Sequence, residues 1–232
     1  MANCPDGLTS GFGVPDSLRS ALCSTRSYFG KDHNGFGVYV AGSGCFIGNT
    51  GRQSVVMTAA HNLYHPVLKR KARWVNFQFG RVGQNFMASR TLSSGNVPIE
   101  FIRGVNALHE WDFALARIPL LRSDRFTPLP IEKSTATGET GKILVGYPNE
   151  GACKGLFKPY HTVVSVTPSS PANYSYRNQE TYRGMSGGPL IGKTTDGGEY
   201  VSYGVHTLGR SNIPHRAVRF SEPVMRRIHG WL

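Results

Sequence analysis

Hydrophobic and polar residues alternate along this chain in short pieces. Trp74-Val-Asn-Phe-Gln-Phe79 places an apolar residue at every second position from Val75, the period of a half-buried strand. Phe36–Val40, Gly42–Ile47, Ser54–Thr58, Val97–Ile102 and Phe113–Ile118 are runs of similar length and predict the rest of a first strand group. A second group follows: Lys142–Pro148, Tyr160–Val166, Pro189–Ile191, Tyr200–His206 and Ala217–Phe220, with a turn at Asp196-Gly-Gly198. A helical pattern closes the chain over Glu222–Trp231, with Ser221 as N-cap and Pro223 in the first turn. Residues 1–34 show no convincing period and read as an N-terminal extension. A short helix is expected there around Asp16–Cys23, capped by Asp16 or Ser17.

Composition supports strands over helices. There are 28 Gly and 14 Pro in 232 residues, enough punctuation for many short strands, and all-β domains of this length form single units. No apolar run approaches the ~20 residues that span a bilayer, so no membrane partner is expected. The first residues lack the basic-then-apolar pattern of a signal peptide. Residues 119–140 mix Pro, Ser, Thr and charge and read as a connection. Net charge is +12, which draws acidic substrates, nucleic acid or anionic surfaces. The cations are dispersed apart from Lys69-Arg-Lys-Ala-Arg73, and no nucleic-acid motif accompanies them. Nucleic acid is therefore a secondary partner in this reading. Cys4, Cys23, Cys45 and Cys153 have no zinc spacing, and neither metal nor cofactor is expected. Cys4 and Cys23 are a candidate pair; Cys45 reads as a buried strand residue.

Three places carry possible chemistry. In Gly184-Met-Ser-Gly-Gly-Pro189 a serine sits among glycines, which permit positive φ and close backbone approach. Such a loop can aim the N–H groups of Gly184 and Ser186 at one point beside the hydroxyl, the geometry of an oxyanion hole. A serine needs a base to take its proton, and the base works best when a carboxylate orients it. His61 ends the run Ser54–Thr58-Ala-Ala-His61, and Asp112 opens Trp111-Asp-Phe-Ala-Leu115. Taken singly, these are also what a glycine-rich turn, a satisfied polar histidine and a turn aspartate look like.

Together, Thr58-Ala-Ala-His61, Asp112-Phe-Ala-Leu115 and Gly184-Met-Ser-Gly-Gly-Pro189 resemble the chymotrypsin-fold serine proteases over about residues 35–232. That resemblance implies an all-β fold of two six-stranded antiparallel barrels with a C-terminal helix. The first barrel would span 35–120 and carry His61 and Asp112; 121–140 would connect; 141–232 would hold Ser186 and the specificity pocket. It implies an endopeptidase acting through an acyl-enzyme, working as a monomer on protein or polyprotein substrates. Secreted trypsin relatives carry cysteines where this chain has Asn62 and Tyr182, so the usual disulfides beside the site are absent. This departure favours an intracellular or viral setting, with a secreted bacterial-type enzyme as the alternative. Met185 replaces the aspartate of trypsin-like zymogens, so other contacts must hold the serine loop.

The chain is most similar in its pocket motifs to V8-like glutamyl endopeptidases and to viral proteases cutting after Glu or Gln. Gly204-Val-His-Thr-Leu-Gly209, Thr181, the Asn62 after His61, Val145-Gly-Tyr-Pro148 and Ile228-His-Gly-Trp231 carry that similarity. It implies a pocket of Thr181, His206, Thr207 and Gly209, with Arg183 and His215 adding positive potential at the mouth. Imidazole and hydroxyl would donate to a substrate carboxylate or carboxamide, giving preference for Glu, then Gln. The competing reading is a protease-fold protein whose basic surface binds nucleic acid or an acidic partner.

Overall fold

In the computed structural model the described residues are 9–10, 16–104, 110–134, 139–176, 181–194, 198–210 and 213–232. Sixteen strands and three α-helices are found among them. The strands are β1 (Thr9–Ser10), β2 (Leu22–Lys31), β3 (Gly37–Thr50), β4 (Gln53–Thr58), β5 (Tyr64–His65), β6 (Arg70–Lys71), β7 (Trp74–Phe79) and β8 (Ala88–Thr91). They continue as β9 (Ser94–Asn96), β10 (Ala114–Pro119), β11 (Glu139–Gly146), β12 (Tyr160–Ser170), β13 (Asn173–Tyr176), β14 (Pro189–Lys193), β15 (Tyr200–Arg210) and β16 (Ile213–Arg219). The helices are α1 (Asp16–Ala21), α2 (Ile99–Arg103) and α3 (Glu222–His229).

The all-β architecture with a C-terminal helix is the one found, as one closed six-stranded barrel and one half-barrel sheet. In the first sheet the order is β8-β7-β2-β3-β4-β10-β9, antiparallel and curled so that β8 approaches β10. The second sheet closes fully, because β12 pairs with both β11 and β13 in the ring β12-β11-β14-β15-β16-β13. β1 is added outside that ring, against β12. Burial follows the sequence pattern. On β7, Val75, Phe77 and Phe79 face the core while Trp74, Asn76 and Gln78 face outward. On β4, Ser54–Thr58 are buried without a break, because both faces of that strand are covered.

Three expectations need correction. Leu22–Lys31 is not extension: β2 pairs with both β3 and β7 at the centre of the first sheet, with Leu22, Cys23 and Phe29 in the core. Its apolar positions are interrupted by Ser24, Thr25 and Ser27, which are buried and hid the period. Phe36–Val40 and Gly42–Ile47 belong to one long strand, β3, not two. Val97–Ile102 is not a strand; α2 starts after Pro98 and ends at Gly104, whose φ of 65° terminates the turn.

The C-terminal helix forms where the pattern placed it, with Pro223 in its first turn; Ser221 is N-cap by position, but its hydroxyl makes no bond. Val224, Met225 and Ile228 bury against the main core. The Trp231 ring packs tilted against Phe113, centroids 5.7 Å apart, and Arg227 pairs with Glu100 of α2 at 2.7 Å. α3 thus braces the segment that carries Asp112. The cysteine expectation also changes: Cys23 and Cys45 are buried free thiols, so Cys23 has no disulfide partner, whereas Cys153 is disulfide-bonded. The turn residues Asp196 and Gly197 lie outside the described residues.

Candidate active site

β4 ends at Thr58, and the chain tightens into one 3-10 turn over Ala60–Asn62. That turn delivers His61 to the rim between the two sheets. Asp112 lies just before β10, the neighbour of β4 in the ladder, so the two side chains start on adjacent strands. Asp112 Oδ2 is 2.7 Å from His61 Nδ1, and Asp112 Oδ1 accepts the His61 backbone N–H at 3.0 Å. The carboxylate is buried and holds both the ring and the backbone of His61, and its bond to the ring fixes Nδ1 as the protonated nitrogen. Burial alone would lower the His61 pKa, but the charge and hydrogen bond of Asp112 outweigh it and raise it above 6.5.

Ser186 lies on a tight loop entering β14. Gly184 and Gly187 take φ of 96° and 91°, which a side chain would resist. A Cβ at Gly187 would also collide with the Ser43 carbonyl and Thr58 Oγ1. The N–H groups of Met185, Gly187 and Gly188 are spent on Tyr182, His206 and Met185 carbonyls. Those of Gly184 and Ser186 have no acceptor among the described residues. The Ser186 hydroxyl donates to the Thr207 carbonyl at 3.2 Å.

Sequence reasoning missed what ties the loop down. Ser43, on β3, donates its N–H to the Ser186 carbonyl at 2.7 Å and its hydroxyl to the Gly184 carbonyl at 2.6 Å. The same hydroxyl accepts the Tyr147 N–H at 2.8 Å. Asn62, beside His61, donates to the Ser186 carbonyl at 3.1 Å and to Thr58 Oγ1 at 2.9 Å. Thr58 in turn donates to the Ser43 carbonyl at 2.7 Å. The backbone of Ser186 is therefore bonded to the residue that follows His61. This network stands where an ion pair or a disulfide was expected to be lacking. Two polar residues in apolar surroundings, Ser43 between glycines and Asn62 after the histidine, were its only trace in the sequence.

The pocket residues are partly brought together. His206 and Thr207 are buried on β15. His206 Nδ1 lies 3.1 Å from the Arg216 carbonyl and also contacts the Tyr176 hydroxyl. Burial, with His215 nearby, pushes the His206 pKa down to about 3. Thr181 Oγ1 is 2.9 Å from His215 Nδ1, and His215 stacks on Tyr176 at 5.7 Å. Tyr176 thus joins His206 to His215, a role no sequence pattern announced. Gly209 lies on β15, but Arg183 points outward, with its side chain 87% exposed and its guanidinium 3.7 Å from Glu150. Among the described residues no three His, Cys, Asp or Glu side chains gather as a metal site.

These strands, loops and termini define a chymotrypsin-type fold. Residues 42–198 match the model of the trypsin-like peptidase domain, and the chain belongs to that family. Among solved structures it is similar to a Glu endopeptidase in complex with MPD, at 16% identity over 100% of this chain and 99% of that one, TM-score 0.75. It is also similar to a thermostable serine protease, AL20, from an extremophilic microorganism, at 17% identity, 93% and 97% coverage and TM-score 0.70. A third similar structure is the protease Anisep from Arthrobacter nicotinovorans, at 18% identity, 88% and 91% coverage and TM-score 0.68. Curated protein sequences give no match.

Proposed function

We propose that this protein is a serine endopeptidase in which Ser186 is the nucleophile, His61 the base and then the acid, and Asp112 the group that orients it. The reaction would run in two stages. His61 Nε2 takes the Ser186 proton as Oγ attacks the peptide carbonyl, and the oxyanion settles against the Gly184 and Ser186 N–H groups. The imidazolium then protonates the leaving amine, and water repeats the sequence on the acyl-enzyme. The 2.7 Å Asp112–His61 bond, on a turn whose next residue bonds to the Ser186 carbonyl, carries this reading. The Ser186 hydroxyl would leave the Thr207 carbonyl by a side-chain rotation. An active-site phosphonate should label Ser186 and fail on Ser186→Ala. Absence of labelling in folded protein would favour the non-enzymatic reading.

The pocket reading is Glu first and Gln second. The buried Tyr176 hydroxyl contacts His206 Nδ1, which also lies 3.1 Å from the Arg216 carbonyl, an acceptor that Thr207 Oγ1 shares at 3.3 Å. In the tautomer where Tyr176 donates to Nδ1, the proton sits on Nε2, a donor for a carboxylate or carboxamide oxygen. A site that buries such a donor rejects apolar side chains, which would leave it unpaired. Peptides differing only at the residue before the cleavage point test this. Glu and Gln should exceed Leu and Arg by at least about tenfold in kcat/KM; equal turnover would remove the specificity.

A further inference from the structure

The face of the first sheet that points away from the core carries features that proteolysis does not use. Tyr28 sits directly opposite Tyr39 on β3 and opposite Trp74 on β7, so three rings form one row across three strands. Their centroids lie 4.8 Å (Tyr28–Tyr39), 5.8 Å (Tyr28–Trp74) and 6.2 Å (Tyr39–Trp74) apart. The row is open to solvent: Tyr39 is 51% exposed and Trp74 36%. Cations surround it. Arg26, two residues before Tyr28 and so on the same face, holds its guanidinium 4.8 Å from the centre of the Tyr39 ring. Arg73 precedes Trp74, donates its backbone N–H to Tyr28 and is exposed. Arg70 reaches the carbonyl of Lys31 at the β2–β3 turn at 2.6 Å.

Charge decides what such a row would take. Residues 17–99 hold ten Lys and Arg but a single acidic residue, Asp32. Asp32 spends its Oδ1 on the backbone N–H groups of Asn34 and Phe36. None of Arg26, Lys31, Arg70 or Arg73 has a carboxylate partner among the described residues. An apolar peptide would not need these cations. An acidic peptide or a lipid headgroup would use them but has no flat π face for the rings. A single-stranded nucleic acid uses both, because bases stack on aromatic faces while phosphates run along a cationic groove.

We propose that the Tyr39–Tyr28–Trp74 row, flanked by Arg26, Arg70 and Arg73, is a platform for single-stranded nucleic acid. Bases would stack on the exposed rings of Tyr39 and Trp74, and the guanidinium groups would take the phosphates. Sequence preference would be weak, since every base has a π face. The platform does not depend on the protease reading, because none of Tyr28, Tyr39, Trp74, Arg26, Arg70 and Arg73 belongs to the proposed catalytic set.

The test is fluorescence anisotropy of the full chain with a labelled oligouridylate of about twelve nucleotides, the length of one small stacking site. Binding should weaken with salt at a log–log slope of about −2 to −3, as three or four phosphate contacts on a single strand require. Tyr39→Ala should weaken it by about tenfold, the worth of one stacked base, while Tyr39→Phe stays within about twofold. Arg26→Gln with Arg73→Gln should flatten the salt slope without changing the ring row. Thermal melts of each variant separate loss of binding from loss of fold, and Tyr39→Phe supplies the answer if Tyr39→Ala does not fold. Unchanged affinity in Tyr39→Ala would overturn the platform. So would equal affinity for an acidic peptide of the same charge, which makes the site a protein surface. Binding to phosphatidylserine vesicles in place of the oligonucleotide would overturn it as well.

Discussion

Asn62 follows the candidate base, and its amide bonds to two groups at once. Its Nδ2 meets the Ser186 carbonyl and Thr58 Oγ1, while its Oδ1 is buried without a partner. Asn62→Ala removes both bonds while the Ser186 carbonyl keeps the Ser43 N–H and the Thr58 hydroxyl keeps the Ser43 carbonyl, so the cost is that of two net hydrogen bonds, about 1–3 kcal/mol in unfolding free energy. Chemical denaturation measures that. Because the lost bond holds Ser186, kcat should fall more than KM rises. Gly42→Ala offers a second route, since a Cβ there collides with the Asn62 amide without removing it. His61 and His206 then give opposite pH signatures. Asp112 raises the His61 pKa, and an imidazolium cannot accept the Ser186 proton, so kcat/KM should fall as pH drops through that raised value. Asp112→Asn should move this limb to lower pH while cutting the plateau by about 10³–10⁴. His206 is held neutral, with its pKa at about 3 against roughly 6.5 in an unfolded chain. The unfolded chain takes up a proton the folded one refuses, so this contribution to stability is full above about pH 6.5 and lost as pH falls toward 3. Melting temperature against pH should be flatter for His206→Gln between about pH 6.5 and 5, before carboxylates titrate.

Among the elements, the serine loop is held from outside by β3 and by Asn62. Gly187 combines a φ of 91° with backbone packed against Ser43 and Ala59. Gly187→Ala should abolish phosphonate labelling and lower the melting temperature, because β3 would have to move away from the loop. A variant that labels at the wild-type rate would show that the loop tolerates displacement from β3. This element was legible in the sequence because its constraints are local: glycines and a serine in a fixed order. His61 and Asp112 were legible for the same reason, each standing at a strand end within its own motif. β2 was not, because Ser24, Thr25 and Ser27 are buried through tertiary contacts and break the alternation. α2 reads as a strand in sequence because the five residues after Pro98 are too few to show a helical period. Ser43, Tyr176 and Glu150 act through partners 30 or more residues away. No window of sequence can contain such a pair.

At the scale of the molecule, the distribution of charge sets a condition on the proposed specificity. His206 is held neutral at working pH, so in the proposed pocket it would offer a carboxylate a hydrogen bond and not an ion pair. A hydrogen-bond donor of this kind serves Glu and Gln almost alike, and the margin for Glu must come from elsewhere. The source available is the field of a chain with net charge +12, to which residues 17–99, with ten Lys and Arg against one Asp, contribute +9. Such a field is screened over about 8–10 Å near physiological salt, whereas a short hydrogen bond is not. The Glu-to-Gln ratio of kcat/KM should therefore fall as salt rises, by about threefold to tenfold between low and physiological ionic strength. Turnover of the neutral Gln peptide should stay nearly constant over the same range. Replacing Arg26 and Arg73 by Gln should lower the ratio at low salt only, since both lie outside the pocket. If the ratio instead holds steady with salt and survives those replacements, the preference is set inside the pocket, and His206 must gain a proton when the carboxylate binds. That alternative has its own mark, a Glu-to-Gln ratio that climbs as pH falls from about 8 to 6.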